Sequence, residues 1–261
     1  MDLGIKGKFA LVTGGTHGIG RSIALALAGE GCNVAVCSRD KNRVENTVRE
    51  IKEKNVDAIG VAADVTVPAD VTKVMDTIIK NWKTVHILVN NVGGGGRWGR
   101  EIVEETKPEV WLEVYQKNAL TAAQFTTLAI PHMRKQKWGR VVTITSIFGR
   151  EAGGRPWFAM AKSAQGAMMK AMARQPYLAS EGITFNSIAP GAIMIPDTGW
   201  EKVKNENPAE LENFIKQELP LGRLGTPEEV AQVVVFACSE NARLLNGASI
   251  PVDGGQSRSI L

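Results

Sequence analysis

Between residues 9 and 20 the sequence reads FALVTGGTHGIG, and this stretch limits the possible folds more than any other. Phe9, Ala10, Leu11 and Val12 make the short unbroken apolar run of a strand buried on both faces. Gly14, Gly15, Gly18 and Gly20 then permit a sharp turn and a close approach of the backbone to a ligand, with Thr16, His17 and Ile19 between them. Residues 21–28 read as a helix. A helix starting at such a turn aims its unpaired N–H groups and the positive end of its dipole at an anion, here the pyrophosphate of a dinucleotide. The spacing Gly14-x-x-x-Gly18-x-Gly20 differs from the G-x-G-x-x-G fingerprint, so the flanking strand and helix carry the reading.

Further apolar runs at 33–37, 58–62, 87–89, 141–145, 183–188 and 248–252 read as strands. Helical patterns fill the gaps at 41–54, 69–82, 109–135, 160–180 and 227–238. Alternation of this kind predicts an α/β fold: one doubly wound parallel sheet with helices on both faces, ligand at the carboxyl ends of the strands. No interruption is long enough for a domain linker, so residues 1–261 form a single domain.

Composition excludes several function classes. No apolar run approaches a membrane span, and the opening MDLGIKGK is too short and polar for a signal peptide. The net charge of +4 is dispersed among acids, which suits a pocket for a phosphorylated ligand and not a nucleic-acid surface. Cys32, Cys37 and Cys238 match no metal spacing, no His/Cys/Asp cluster implies a metal, and free buried thiols fit a cytoplasmic protein.

The second strand runs into Ser38 and Arg39, a small hydroxyl and a cation that suit the 2′-phosphate of NADP. An NAD-selective site places an acid here, and Asp40 comes one residue later. His17 can add a donor to the same phosphate, while Arg39 read blandly is a solvated charge. Asp64, before Val65, is either an acceptor for the adenine amino group or a turn residue. Asn91 can hold neighbouring backbone, and Gly93 opens a glycine run that lets a ribose lie close, with Arg97 and Trp98 at its tip.

The order TGGTHGIG, NNVG at 90–93, Asn118, Ser146, Lys162, Pro190-Gly191 and VDGG at 252–255 resembles the short-chain dehydrogenase/reductase family over almost the full length. The resemblance implies a Rossmann fold that binds NAD(P) and moves a hydride between nicotinamide and a carbonyl or secondary alcohol. It also implies a cofactor contact by Lys162 to the nicotinamide ribose, an oxygen-polarising Ser146, and an Asn118 that anchors a water in a proton relay. Homodimers or homotetramers built on the helices at 109–135 and 160–180 are implied as well. One position departs from the family. Its Tyr-x-x-x-Lys pair has Phe158 where the acid should be, and a phenyl ring has no proton to give. Tyr115 and Tyr177 are the only tyrosines, and neither lies in the motif. Phe158 is therefore a change introduced to trap a complex, a native residue in an enzyme with another acid, or the mark of a protein that kept only nucleotide binding.

In the same resemblance, residues 192–221 form a substrate lid, with Ile193 on the nicotinamide carboxamide and Thr198 on the pyrophosphate. Trp200 with Ile193, Met194 and Ile195, and Trp98 with Phe148, Trp157 and Met160, are the expected apolar walls. Arg97, Arg150 and Arg155 in nearby loops hint at an anionic small-molecule substrate. The expected activity is an NADP(H)-dependent oxidoreductase impaired at Phe158. The alternatives are a silent dinucleotide-binding sensor or scaffold, and a lyase or isomerase using NADP transiently.

Overall fold

The computed structural model describes residues 1–100 and 102–260. Among these, seven strands form one sheet: β1 (Phe9–Thr13), β2 (Asn33–Ser38), β3 (Ala58–Ala62), β4 (Ile87–Asn90), β5 (Gly139–Ile144), β6 (Ile183–Pro190) and β7 (Ser249–Val252). The order across the sheet is β3-β2-β1-β4-β5-β6-β7, with every neighbouring pair parallel. The chain winds outward from β1 to β3, then returns to lay β4 on the other side of β1. That reversal opens a crevice beyond the ends of β1 and β4, where α/β sheets bind their ligands.

The unbroken apolar runs follow from burial on both faces. Ala10 and Val12 point to one side, into a core with Val34, Val36, Val89 and Val142. Leu11, Ala35, Leu88 and Val141 point to the other. Helices α1 (Gly18–Gly29) and α10 (Pro227–Ala237) pack together over the first face. On the second, α3 (Pro68–Trp82) packs beside α5 (Thr121–Lys135), next to α6 (Pro156–Ala173). Helix α2 (Lys41–Lys52) packs on β2 and β3, and α4 (Pro108–Tyr115) on α6.

Two helices depart from expectation. The segment at 109–135 is α4 and α5 joined through a five-residue π turn, Gln116–Leu120. The segment at 160–180 begins earlier, at Pro156, and α6 stops at Ala173. Pro176 disfavours helical backbone at Gln175, and the short α7 (Pro176–Ala179) restarts after it. Residues 192–221 contain α8 (Gly199–Glu206) and α9 (Pro208–Glu218). No helix among the described residues is long and apolar enough to cross a membrane.

Candidate active site

The glycine turn is built for close approach. Gly18 has φ +51°, and a Cβ on Gly20 would stand 2.3 Å from both the Gly14 carbonyl oxygen and the Asn91 amide nitrogen. Asn91 Nδ2 donates to the carbonyls of Thr13 (2.9 Å) and Gly14 (3.2 Å), and the Thr13 hydroxyl accepts from the Asn91 and Val92 N–H groups. These bonds stitch β1 to β4 at the switch point. Helix α1 starts with no side-chain cap and no acid in its first turn, so its N–H groups are left for an outside anion. His17 Nε2 is buried without a hydrogen bond among the described residues. A side-chain-free cradle and an orphaned donor fit a phosphate group.

A cavity of about 610 Å³ extends from this turn past Ser38, Arg39, Asp64, Val65 and Gly93. Asp40 does not compete for a ribose: its carboxylate caps α2, accepting from the Arg43 N–H at 3.0 Å, and lies 3.6 Å from Arg43 Nε. Arg43 and Lys117 line the same cavity. Neither stands out in the sequence, although Arg43, three residues after the capping Asp40, falls within the first helical turn and so near the strand end. Lys117 Nζ lies 4.5 Å from the centre of the Trp98 ring, and burial, then the Arg39 charge, lowers its pKa. Asp64 is a turn residue: one carboxylate oxygen accepts from the Thr66 hydroxyl (2.7 Å) and N–H (3.0 Å), which hold its pKa down. It still lines the cavity.

The residues expected to react lie near the ends of β4 and β5. Asn118 sits in the π turn, fully buried, its amide donating to the carbonyls of Val114 (2.7 Å) and Gly94 (2.9 Å) and accepting from the Gly94 N–H at 3.2 Å. A Cβ on Gly93 would lie 2.6 Å from Asn118 Oδ1 and 3.0 Å from Lys162 Nζ, so only glycine admits both. Lys162 is 4% exposed and donates to the Ile144 carbonyl at 2.9 Å; burial brings its pKa down to about 7. Ser146 Oγ accepts from the Phe148 N–H at 3.2 Å, leaving its own proton to donate. The Phe158 ring is centred 5.7 Å from Lys162 Nζ and faces Gly96, so it occupies the place the acid would take. Tyr115 packs in the same apolar cluster. Gln165, which the sequence reading did not single out, is fully buried and donates to the Asn118 carbonyl at 3.0 Å.

The segment after Pro190-Gly191 runs from the end of β7 to the glycine turn. Gly191 abuts Asp253 and Gln256, and its N–H donates to the Val252 carbonyl. Ile193 pairs with Gly225, Ile195 meets Gly18, and the Thr198 hydroxyl donates to the Ile195 carbonyl at 2.6 Å. Asp197 extends back to within 3.8 Å of Arg43 and 3.9 Å of His17. Trp200 packs on Phe214 and, with Phe148, lines a second cavity of about 820 Å³.

Several expected substrate contacts lie elsewhere. Trp157 is fully buried against Trp111, Val114 and Ala161, because it faces α4 one residue away from Phe158 on the helix. Met160 is exposed. Trp98 lines the first cavity, under Lys117. The arginines are engaged: Arg97 stacks on Trp200, Arg150 donates to the Ser249 carbonyl, and Arg155 ties the Gly99 carbonyl to α6. Their long side chains reach backbone acceptors and a ring that loop position alone does not reveal. Cys32, Cys37 and Cys238 are free and buried, with burial raising the first two to about 12. Among the described residues no cluster of His, Cys, Asp or Glu is arranged to hold a metal.

A family model described as enoyl-(acyl carrier protein) reductase matches residues 14–257. The 3-oxoacyl-(acyl-carrier-protein) reductase FabG of Staphylococcus epidermidis is 34% identical over 250 residues, covering 95% of this chain and 98% of that one. FabG of Aquifex aeolicus is 34% identical over 257 residues, covering 98% and 99%. Among solved structures, L-sorbose reductase from Gluconobacter frateurii, complexed with NADPH and L-sorbose, superposes with a TM-score of 0.92 at 30% identity over the whole of both chains. A 7α-hydroxysteroid dehydrogenase complexed with NADH and 7-oxo glycochenodeoxycholic acid gives 0.88 at 29% identity, covering 100% of this chain and 98% of that one.

Proposed function

We propose that this chain, which belongs to the short-chain dehydrogenase/reductase family, interconverts a carbonyl and a secondary alcohol with NADP(H), and does so slowly because Phe158 cannot carry a proton. The observation behind this reading is the meeting of Asn118 and Lys162 at Gly93, which lines the 610 Å³ cavity, with Ser146 two residues beyond the Ile144 carbonyl that Lys162 holds. Solved relatives hold NADPH in one case and NADH in another, so the cofactor choice rests on this chain's own residues. Arg39, Arg43 and His17 offer positive or donor groups, and the one acid at the end of β2, Asp40, is occupied as a helix cap. That combination favours a 2′-phosphate over free ribose hydroxyls.

Nicotinamide, when bound, supplies the hydride to the carbonyl carbon. Ser146 donates a hydrogen bond to the carbonyl oxygen and polarises it. Lys162 holds the ribose hydroxyls, and Asn118 fixes the backbone of Gly94 beside them. The proton that completes the alcohol comes from Ser146, water or a substrate group, since the ring at 158 has none. A positioned general acid contributes about 10²–10⁴ in rate, and this is the deficit expected here. The same missing acid favours a second reading, a dinucleotide-binding protein without turnover. Leu112, Leu120 and Met160, exposed along the α4–α5 and α6 helices, support a homodimer or homotetramer, and the free thiols suit the cytoplasm.

The test is a titration with NADPH and NADH followed by tryptophan fluorescence, then loss of NADPH absorbance against a carbonyl panel, for the parent and Phe158→Tyr. NADPH should bind more tightly than NADH to both proteins, and Phe158→Tyr should raise turnover by about 10²–10⁴. Tighter NADH binding would overturn the cofactor choice. Equal turnover would place the acid elsewhere, and no turnover by either protein would leave the silent reading standing.

A further inference from the structure

The 820 Å³ cavity on the lid side carries chemistry of its own. One wall is a single face of α9: Glu210, Asn213, Phe214, Gln217 and Glu218 all line it, at the three- and four-residue spacing of neighbours on a helix. Leu211 and Ile215 belong to the lid's apolar cluster with Leu219 and Leu224, against which Trp200 and Phe214 also pack. Trp200 and Phe214, with ring centres 4.4 Å apart, supply an aromatic surface.

Charge argues against an anionic ligand. The lining carries three carboxylates, Glu151, Glu210 and Glu218, and one guanidinium, Arg258, already 3.2 Å from Glu218. Glu151 is occupied by the carboxyl-terminal segment, accepting from the Ser257 hydroxyl and the Arg258 and Ser259 N–H groups. A phosphate or carboxylate is normally met by a bidentate guanidinium, and Arg97, Arg150 and Arg155 do not line this space. A long acyl chain would instead call for a mainly hydrophobic lining. The amides of Asn213 and Gln217 are solvent-exposed and make no hydrogen bond within the described chain, so each has both donors and an acceptor free for a ligand that displaces water. Hydroxyl groups also donate and accept, and the C–H face of a sugar suits an aromatic ring.

We propose, resting on the oxidoreductase reading above, that this cavity takes a neutral polyhydroxylated carbonyl compound, a ketose or the polyol formed from it. Asn213 and Gln217 read its hydroxyls, and Trp200 and Phe214 receive its carbon face. This replaces the anionic substrate suggested by the loop arginines.

The experiment uses the full chain loaded with NADP⁺ and three probes: fructose, fructose phosphate and an acetoacetyl thioester, with binding measured by calorimetry and by quenching of tryptophan fluorescence. Fructose should bind at least about ten-fold more tightly than either of the others. Asn213→Leu and Gln217→Leu should each weaken fructose by about three- to ten-fold, the loss of one or two hydrogen bonds, with NADPH affinity held. NADPH affinity also reports that each variant is folded. Tighter binding of the phosphate or the thioester overturns the proposal, as does no fructose binding by NADP⁺-loaded protein or unchanged affinity in both variants. A parent that binds no nicotinamide cofactor would overturn the oxidoreductase reading instead, and the separate NADPH titration detects that failure.

Discussion

Replacing Lys162 with methionine should stabilise the protein at neutral pH and destabilise it in alkali. The ammonium is buried, and burial lowers its pKa from 10.5 to about 7. In the unfolded chain the group regains the ordinary value, so between these limits the unfolded state binds more protons and stability rises with pH. Below pH 7 the full penalty applies: a difference of 3.5 between the two values is ~5 kcal/mol at 1.36 kcal/mol each. It falls to roughly 3 kcal/mol at pH 8 and below ~1 kcal/mol at pH 10. Methionine of similar length removes the penalty and leaves the Ile144 carbonyl without its 2.9 Å donor, at a cost of about 1–3 kcal/mol. The variant should therefore gain about 2 kcal/mol at pH 7, which is about 4–8 °C in Tm for a domain of this size, and lose about 1 kcal/mol at pH 10. Calorimetric melts of both proteins across this range test it. Curves that run parallel without crossing, or a variant less stable at pH 7, would refute the assignment of burial as the cause.

Two more perturbations address the cofactor end. Arg43→Ala should weaken NADPH by about five-fold and leave NADH almost unchanged, since an exposed cation near a phosphate contributes up to about 1 kcal/mol; fluorescence titration of both cofactors reads the difference, and an equal loss would remove Arg43 from the phosphate site. Asp197 places a carboxylate 3.8 Å from Arg43 and 3.9 Å from His17, where it competes with a phosphate for the same cations. Asp197→Asn should tighten NADPH by about two- to five-fold at low salt, with the gain shrinking as salt is added. Equal NADPH affinity in the parent and the variant would show that the two contacts are incidental.

Much of this molecule was readable before its structure. Strands buried on both faces write themselves as unbroken apolar runs, and 58–62 came out residue for residue as β3. The glycine turn and Asn91 follow from the pattern around strand ends, whereas Asn118, Ser146 and Lys162 stand out only through the resemblance to the short-chain dehydrogenase/reductase family. Residues whose role depends on where a long side chain reaches were not. Arg150 and Arg155 look like pocket guanidiniums in a loop, yet both end on backbone carbonyls. Trp157 and Phe158 are adjacent in sequence, but the helix sends one into the packing against α4 and turns the other toward Lys162. Arg43 was hidden in the opposite way, inside an ordinary polar helix whose first turn happens to border the cavity.

The π turn at Gln116–Leu120 has a consequence for how such a site can arise or be lost. It contains no proline or glycine, so composition leaves no trace of it. What it stores is length. Deleting one residue there would restore an uninterrupted α-helix with α4 and α5 still in phase, since the wider turn takes up the extra residue, and would flatten the bulge that carries Asn118. Trp111 and Val114 would keep their packing on Trp157, while Asn118 would be drawn away from Gly94. No side-chain substitution produces or repairs that displacement. The position of the buried amide is thus inherited as a frame, gained or lost by a three-nucleotide insertion or deletion.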